Sequence, residues 1–430
     1  MKMKRLRFYA CLLTVMTLAG FTACSSTDND GVTDSQTTNG KSQLTLTINT
    51  LGTRAAMTSD PTDEKTINRI TVGIFDGNNN VRTIQEFTSG EGTVGTNTFK
   101  TDTDKGSTTM NIVTNKLMKD DQVLVAVNAP SGKFQGAQTV SDFQSRSVDA
   151  GRALATNASD ESHVQDDQVA NNAPMFGSAK LEEPAKDATA YTATVNVSHL
   201  TAKISLEDIE VAFDPNGSYQ NATFSPTEIY IEHVVDGLNF NPTVGSWFTP
   251  ADLSKTPLLT GATGVTGAKS YLTTGTISGV KLSSASAAGT VKMMLNKYYF
   301  YVTPSSYDTP SGTKANAVRV WIKGDFDPDG PGDNTAAATT VFYPVLLNVK
   351  YDAAGDASAV EEGTDAYKVY PNKNYICTIV IKTKGLPGIG DDHSTQPDGN
   401  DGNDELKPQQ ATITVSVKDW NPVKQTTTFE

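Results

Sequence analysis

Residues 44–56 read LTLTINTLGTRAA, and their first half alternates strictly between apolar and polar side chains. Leu44, Leu46 and Ile48 fall on one side of an extended chain, and the threonines between them fall on the other. This two-residue period predicts a β-strand with one buried face. Arg54 follows in a stretch of Gly, Thr and Ala, the kind of exposed segment that proteases cut. The segment therefore combines a core strand with a protease-accessible arginine.

The chain before this strand has the features of a bacterial export signal. A basic start is followed by an apolar run to Phe21, which is too short and too interrupted for a permanent membrane span. Residues 21–24 read FTAC and precede a polar stretch, and they resemble the lipobox that is lipidated on its cysteine. We interpret residues 1–24 as a lipoprotein signal peptide with Cys24 as the lipid site; an ordinary signal with an incidental cysteine is the alternative. Residues 25–54 form a tether that ends in the strand.

The composition limits the class of protein. The 430 residues carry 48 acidic and 35 basic side chains, a formal charge of −13, which argues against a nucleic-acid ligand. Three cysteines cannot build a disulfide framework, and four scattered histidines have no metal-ligand spacing. No nucleophile elbow, Cys/His pair or phosphate loop occurs. The sequence therefore predicts a protein that is not an enzyme and needs no cofactor.

Short strand-like runs separated by turns dominate the rest of the chain. Their density predicts an all-β protein of two antiparallel β-sandwich domains with a transthyretin-like or Greek-key topology. The predicted domains span residues 55–198 and 199–430. One or two short helices are expected, and the capping-box spacing that begins at Ser141 predicts one that runs to about Ala155.

The C-terminus repeats the pattern of the first strand. Residues 385–410 are acidic, rich in turn formers and poor in apolar side chains, which predicts a linker. Residues 411–430 then contain an alternating strand with a tryptophan after it, and its apolar positions are Ile413, Val415, Val417 and Trp420. At about 3.3 Å per residue, such a linker reaches several tens of ångströms. The strand can therefore pair with its own body or with a neighbouring copy, and the sequence leaves both open.

These elements, in this order, resemble the FimA-type fimbrillin superfamily, the type V pilus subunits of Bacteroidetes. The resemblance rests on the lipobox and on a series of segments spread over nearly 400 residues: LTLTINTLGTRAA, ITVGIF, VLVAVNAP, NNAPMFGSA, VSHLTAKISL, YPNKNYICTIVIKTKG and ATITVSVKDWNP.

The family resemblance implies a mechanism. It implies export as an outer-membrane lipoprotein, followed by a cut between Arg54 and Ala55 by an Arg-specific protease. It further implies that the strand containing Leu44, Leu46 and Ile48 is displaced, and that a terminal strand of another subunit fills the groove. Carried onto this chain, the donor strand contains Ile413, Val415, Val417 and Trp420. The expected product is a head-to-tail cell-surface fimbria that serves adhesion, with other fimbrial subunits as partners.

Three other readings stay open. Asp325, Asp327, Asp329 and Asp333 begin like a calcium loop, but the twelfth position holds Ala336 where a bidentate glutamate is needed, so a turn is favoured and no metal is expected. The chain could instead be a monomeric glycan-binding surface lipoprotein that keeps Cys24 and uses exposed aromatic side chains from the run at residues 298–301. It could also be a fimbrial anchor or tip subunit. The sequence does not identify a host or bacterial receptor.

Overall fold

The computed structural model describes residues 41–429 with gaps at 51–65, 91–97, 103–106, 116, 150–172, 185–189, 250–257, 263, 266, 285–289, 296–297, 307–315, 331–335, 353–355, 389–412 and 418–420. The described residues lie in one compact unit. Strands dominate them, and the predicted all-β class is confirmed.

The strands are numbered in chain order, with these bounds: β1 Lys41–Thr50, β2 Arg69–Phe75, β3 Val81–Ser89, β4 Thr98–Asp102, β5 Ser107–Asn115, β6 Gln122–Val127, β7 Ser147–Val148, β8 Met175–Lys180, β9 Tyr191–His199, β10 Ala202–Val211, β11 Thr223–Val234, β12 Leu238–Asn239, β13 Leu259–Thr260, β14 Leu282–Ser283, β15 Lys292–Met294, β16 Tyr299–Val302, β17 Arg319–Asp327, β18 Thr339–Leu346, β19 Lys350–Tyr351, β20 Ala357–Ser358, β21 Lys373–Ile381, β22 Leu386–Pro387, β23 Ile413–Val417 and β24 Asn421–Phe429. One α-helix, α1 Val140–Gln144, and one turn of 3₁₀-helix, Ser270–Leu272, complete the elements of the described chain.

The first half of the chain forms a closed barrel in the order β1-β5-β4-β3-β2-β6-β8-β9. Alternate apolar side chains of these strands fill its interior, among them Ile70, Val72 and Ile74 of β2. The strand pairing is shortest at two places, between β3 and β4 and between β8 and β9, where each pair of strands is matched over two residues. At Gly177 of β8 the barrel wall leaves no room for a side chain, since a Cβ there would lie 2.2 Å from the carbonyl oxygen of Asn196.

The second half forms two sheets that share one core. The first sheet has the order β15-β10-β21-β23-β24, with β16 also paired to β10, and the second has the order β13-β11-β17-β18-β22, with β14 also paired to β11. Side chains of both sheets, such as Ile204 and Cys377 from the first and Ile229 and Val320 from the second, belong to one buried cluster.

The barrel and the two sheets are also joined side by side. The two-residue strands β7 and β12 pair across the junction. Phe134 stacks on Phe143 of α1 with ring centroids 4.0 Å apart and meets Phe240 edge-on at 5.0 Å. Because these rings belong to the same cluster as the core of the two sheets, apolar packing is continuous across the junction.

Two features differ from the predicted architecture. The expected antiparallel sheets are mixed: β1 runs parallel to β9, and β10 runs parallel to β21. The first half closes into a barrel, so its sheet has no two separate layers. Alternation in a sequence reports which face of a strand is buried, but it carries no information about the neighbouring strand or its direction.

The helix differs from its prediction as well. Its N-cap is Thr139, whose Oγ1 accepts from the backbone N–H of Asp142 at 3.0 Å, while the Asp142 carboxylate accepts from the backbone N–H of Thr139 at 3.1 Å. This capping box starts two residues before the predicted one. The helix ends at Gln144 rather than near Ala155 because Ser147 and Val148 pair with β12.

Candidate functional site

Strand β1 occupies a slot between two other strands of the barrel. It pairs antiparallel with β5 from Lys41 to Asn49, and parallel with β9 from Leu44 to Thr50. Both of its backbone edges are therefore hydrogen-bonded, and neither partner is β2, the next strand along the chain. We call the space between β5 and β9 that β1 fills the β1 slot.

The apolar side chains of β1 point into the barrel. Leu44, Leu46 and Ile48 are each 0% exposed. On β5, Leu44 and Leu46 lie opposite Ile112 and Met110. Each of the three buried side chains contributes about 1.5–3 kcal/mol through burial. The sequence-predicted strand is therefore a core element of the barrel.

The outward face of β1 makes polar contacts with the same two neighbours. Thr45 Oγ1 donates to Asn111 Oδ1 of β5 at 3.2 Å, and Asn49 Nδ2 donates to Asn196 Oδ1 of β9 at 3.3 Å. The alternation of apolar and polar side chains fixes the register of β1, because a shift by one residue would place these polar side chains inside the barrel.

The geometry of the slot determines what can fill it. Without β1, β5 and β9 would face each other across about 9.6 Å, twice the spacing of neighbouring strands. Both edges would present unpaired backbone N–H and C=O groups above apolar side chains. Such a trough accepts one extended strand and satisfies its hydrogen bonds on both sides.

The chain that follows β1 is held by a buried asparagine that the sequence reasoning did not single out. Asn128 Nδ2 donates to the carbonyl oxygens of Thr66 at 2.9 Å and Ala173 at 3.0 Å, and Asn128 Oδ1 accepts from the backbone N–H of Asn68 at 2.9 Å. Its φ of 59° is a conformation that asparagine tolerates better than most residues. We call this set of contacts the Asn128 clamp. The available signal was the Asn-Ala-Pro repeated at residues 128–130 and 172–174.

The predicted cleavage and lipid sites lie outside the described residues. Arg54 and Ala55 fall within the gap from 51 to 65, and Cys24 precedes residue 41. Along the chain, the predicted cut therefore falls between β1 and Thr66, the next residue that the structure describes.

The predicted donor strand lies at the edge of the first sheet. β23 pairs antiparallel with β21 at residues 415–417, and it forms a hairpin with β24, which also pairs with β21. We call β23 and β24 the C-terminal hairpin. Trp420 lies outside the described residues. Of the two placements that the sequence left open, this structure has the hairpin on its own body.

The aspartates with calcium-loop spacing serve a turn. Asp327 Oδ1 accepts from the backbone N–H groups of Asp329 at 3.3 Å and Gly330 at 3.2 Å, and Asp325 Oδ1 accepts from Thr340 Oγ1 at 3.1 Å. Asp333 lies outside the described residues. Within the described part of the chain, no three His, Cys, Asp or Glu side chains are grouped so that they could hold a metal ion.

Two of the four aromatic side chains at residues 298–301 are buried, and the described cavity beside α1 has no aromatic lining. Phe300 and Tyr301 are buried in the core, and Tyr299 is covered in part by Lys203, whose Nζ lies 5.0 Å from the ring centroid. A cavity of about 550 Å³ beside α1 is lined by Lys133, Arg146 and seven smaller or polar residues, and no aromatic ring lines it.

Cys377 is a core residue of β21. It is fully buried, it has no disulfide partner, and burial raises the pKa of its thiol to about 12. A thiol with such a pKa is not a nucleophile at neutral pH.

Among the described residues, no helix is both long enough and apolar enough to cross a membrane.

The part of the chain that forms the barrel matches a family model. Residues 42–208 match the model of the family described as major fimbrial subunit protein (FimA). The matched range begins with β1 and ends within β10, so it contains the whole β1 slot and the Asn128 clamp. Comparison with the curated proteins finds no match.

Two solved structures share the fold over most of the chain. A fimbrilin (FimA) from Porphyromonas gingivalis is 15% identical with a TM-score of 0.52, and the match covers 90% of this chain and 97% of that one. A protein of Parabacteroides distasonis proposed to act in cell adhesion is 13% identical with a TM-score of 0.52, covering 91% and 99%. At these identities the structures show a common fold, and together with the family match they confirm the resemblance to FimA-type fimbrillins.

Proposed function

We propose that this chain, which carries a FimA-type fimbrial domain, is a structural subunit of a cell-surface fimbria that polymerises by strand exchange at the β1 slot. The observation that carries the proposal is the position of β1. Three fully buried side chains and two hydrogen-bonded edges make β1 an integral strand of the barrel. Its covalent link to β2 runs through the segment that contains Arg54, so one cut there separates the two strands.

The proposed maturation pathway is the one that the resemblance to FimA-type fimbrillins implies. The precursor is exported as a lipoprotein, lipidated on Cys24 and held at the outer membrane. An Arg-specific protease cuts between Arg54 and Ala55, which frees β1 from its covalent link to β2. The Asn128 clamp supports this step because it holds Thr66 and Asn68, so the chain from Thr66 onward stays attached to the barrel while β1 departs.

The donor is β23 of another copy. Leu44 to Ile48 read L-T-L-T-I, and Ile413 to Val417 read I-T-V-S-V, so apolar and hydroxyl side chains alternate identically in the two strands. With Ile413 in the place of Leu44, Val415 takes the place of Leu46 and Val417 that of Ile48. The linker before β23 supplies the reach to a neighbour.

The assembly is an open filament. The slot and the donor strand are different parts of the surface, so each added copy presents a new free site and the contact never closes on itself. Main-chain hydrogen bonds and the buried apolar side chains make dissociation slow. The product is an extracellular fimbria that acts in adhesion, with other fimbrial subunits and the Arg-specific protease as partners.

Limited proteolysis of the purified precursor tests the proposal. Trypsin is expected to give a product whose first residue is Ala55, and this product is expected to form a ladder of oligomers that resist dissociation. An Arg54→Ala variant is the control: it should stay folded, uncut at this position and monomeric. Surface protein from cells that still begins at the lipidated Cys24 and retains β1 would overturn the proposal and support the monomeric lipoprotein instead.

A further inference from the structure

We propose that the subunit bears tension along the fibre through two parallel strand ladders, each of which is loaded in shear. This inference rests on the proposed strand exchange at the β1 slot. The first ladder joins the strand in the slot to β9, and the second joins β10 to β21. A ladder is loaded in shear when the force acts on opposite ends of its two strands.

In the first ladder, the force reaches opposite ends of the two strands. A donor strand with the register of β1 is pulled at its start, where its linker enters, and this end lies beside Tyr191 at the start of β9. The force leaves β9 at its other end, His199, because the chain continues there into β10. The two strands are therefore pulled past each other along their length.

A short, buried link carries the force from the barrel to the first sheet. Only Leu200 and Thr201 separate β9 from β10, and they are 1% and 0% exposed. The backbone N–H of Leu200 donates to the carbonyl oxygen of Pro174 at 2.9 Å, and that of Asn372 donates to the carbonyl oxygen of Thr201 at 2.9 Å. Because the link is short and held by hydrogen bonds, it cannot lengthen much before the force reaches β10.

The second ladder has the same geometry as the first. β10 and β21 pair from Lys203 and Asn374 at one end to Val211 and Ile381 at the other. The force enters β10 at its start and leaves β21 at its end, where the chain runs on to the linker and to the next donor strand. Opposite ends are again loaded.

Side chains reinforce this second ladder. Ser205 Oγ donates to Asn374 Oδ1 at 2.8 Å, and Thr378 Oγ1 donates to Glu207 Oε2 at 2.9 Å. Beyond Ile381, Tyr343 Oη donates to the carbonyl oxygen of Thr383 at 2.9 Å. This last bond fastens the exit of β21 to the second sheet, so part of the load is shared with β18.

Shear loading makes a ladder strong. In a parallel ladder the hydrogen bonds are evenly spaced and run from strand to strand at a slant, so a pull on opposite ends of the two strands strains all of them together. A pull on the same end of both strands breaks them one after another. Rupture under force follows the barrier to unfolding, and the barrier is higher when the bonds must fail together. A fimbria that holds a cell to a surface requires this property of each subunit.

Single-molecule pulling of the uncut precursor tests the inference without requiring polymerisation. A chain that starts at residue 25 includes the whole compact unit, and its native cysteine, Cys377, is buried and will not take a handle. The shear geometry pulls the N-terminus against a Lys384→Cys handle. Two same-end geometries are the matched controls: the N-terminus against Ala190→Cys for the first ladder, and Asp214→Cys against Lys384→Cys for the second.

We expect the shear geometry to rupture at a force several-fold higher than either control at the same loading rate. Urea unfolding of each handle variant checks that it is as stable as the parent chain. Equal rupture forces in the three geometries would overturn the load-bearing role. A strong shear response in a chain that trypsin never converts to oligomers would support the shear loading of the two ladders within one subunit, and it would count against the proposed strand exchange.

Discussion

Leu46 sits at the centre of β1 and shows how one side chain holds the strand in its slot. It is 0% exposed and lies opposite Met110 on β5 and Ala193 on β9. Leu46→Ala should lower the free energy of unfolding of the precursor by about 2–5 kcal/mol, because it removes buried methyl groups and leaves a cavity. Thr47→Ala, on the outward face, should change it by about 0.5 kcal/mol or less. Urea unfolding of the uncut chain measures both.

Comparing the unfolding free energies of these two variants tests whether β1 is buried in the barrel. If Leu46→Ala and Thr47→Ala are equally stable, β1 is not seated in the barrel core. After the cut at Arg54, Leu46→Ala should also release the β1 peptide faster than Thr47→Ala does.

Asn128 is the residue that holds Thr66 and Asn68, which follow the proposed cut at Arg54 in the chain. Asn128→Asp keeps the shape of the side chain and its tolerance of a positive φ, but it turns a carboxylate oxygen toward the carbonyls of Thr66 and Ala173. Leaving these groups unpaired should cost about 1–3 kcal/mol. Asn79→Asp is the matched control, since Asn79 has a φ of 65° in an exposed turn.

Hydrogen exchange locates the effect of this substitution. In Asn128→Asp, protection should fall at residues 66–69 more than in the two sheets of the second half. Uniform loss of protection, or none, would contradict a local clamp. In the cut subunit the same variant should let the new N-terminus fray.

At the scale of the element, β11 and β17 carry a buried charged cluster. The Glu232 carboxylate accepts from Trp321 Nε1 at 2.6 Å and lies 4.0 Å from Arg319 Nε and 3.8 Å from His233 Nε2. His233 Nδ1 donates to the carbonyl oxygen of Ala317 at 3.1 Å. Burial lowers the pKa of His233, Glu232 opposes this shift, and Arg319 adds to it.

This lowered pKa predicts acid sensitivity. The unfolded chain binds a proton at His233 near pH 6.5, whereas the folded chain binds it only at lower pH. Stability contributed by neutral His233 is therefore complete above about pH 6.5 and is lost as the pH falls toward the folded pKa. Urea midpoints at about pH 7.5 and about pH 5 should differ less in His233→Asn than in the parent chain. An equal acid loss in both would place the sensitivity elsewhere.

The register of the donor strand is a second prediction at this scale. In the precursor, Thr45 of β1 lies opposite Asn111 of β5. If Ile413 replaces Leu44, then Thr414 of the donor lies opposite Asn111, within disulfide distance. Fibres of the double variant Thr414→Cys with Asn111→Cys should therefore crosslink into covalent chains under oxidation. Ser416→Cys with Asn111→Cys is the matched control for a two-residue shift, and preferential crosslinking there would refute the register.

At the scale of the whole molecule, net charge should keep the proposed fibres apart. Removal of residues 1–54 leaves 45 acidic and 29 basic side chains, a formal charge of −16. Like-charged fibres should stay single at about 0.01 M salt, where the Debye length is about 30 Å, and should associate side by side more readily at about 0.15 M, where it is about 8 Å. Light scattering of preformed fibres measures this, with the uncut precursor as control. Bundling that dissolves on adding salt would show attraction instead.

Several features could be read from the sequence because they depend on local patterns. The all-β class, the burial of one face of β1 and the turn at Asp327 follow from alternation and turn chemistry. The predicted α1 cap lies two residues too late, since Thr139 with Asp142 and Ser141 with Gln144 have the same capping-box spacing and only the packed structure shows which pair forms the cap. Local sequence patterns locate such elements, but they do not distinguish between two neighbouring residues that could each begin the helix.

The sequence by itself determined which side chains of β1 are buried and that a strand with the same alternation recurs at residues 413–417. Only the tertiary structure decided that β1 lies between β5 and β9, that it runs parallel to β9, and that Asn128 holds the chain beyond it. The physical reason is distance along the chain: Thr45 meets Asn111 after 66 residues, and Asn49 meets Asn196 after 147. Backbone hydrogen bonds are the same for every residue, so the choice of partner strand comes from how all the apolar faces pack at once.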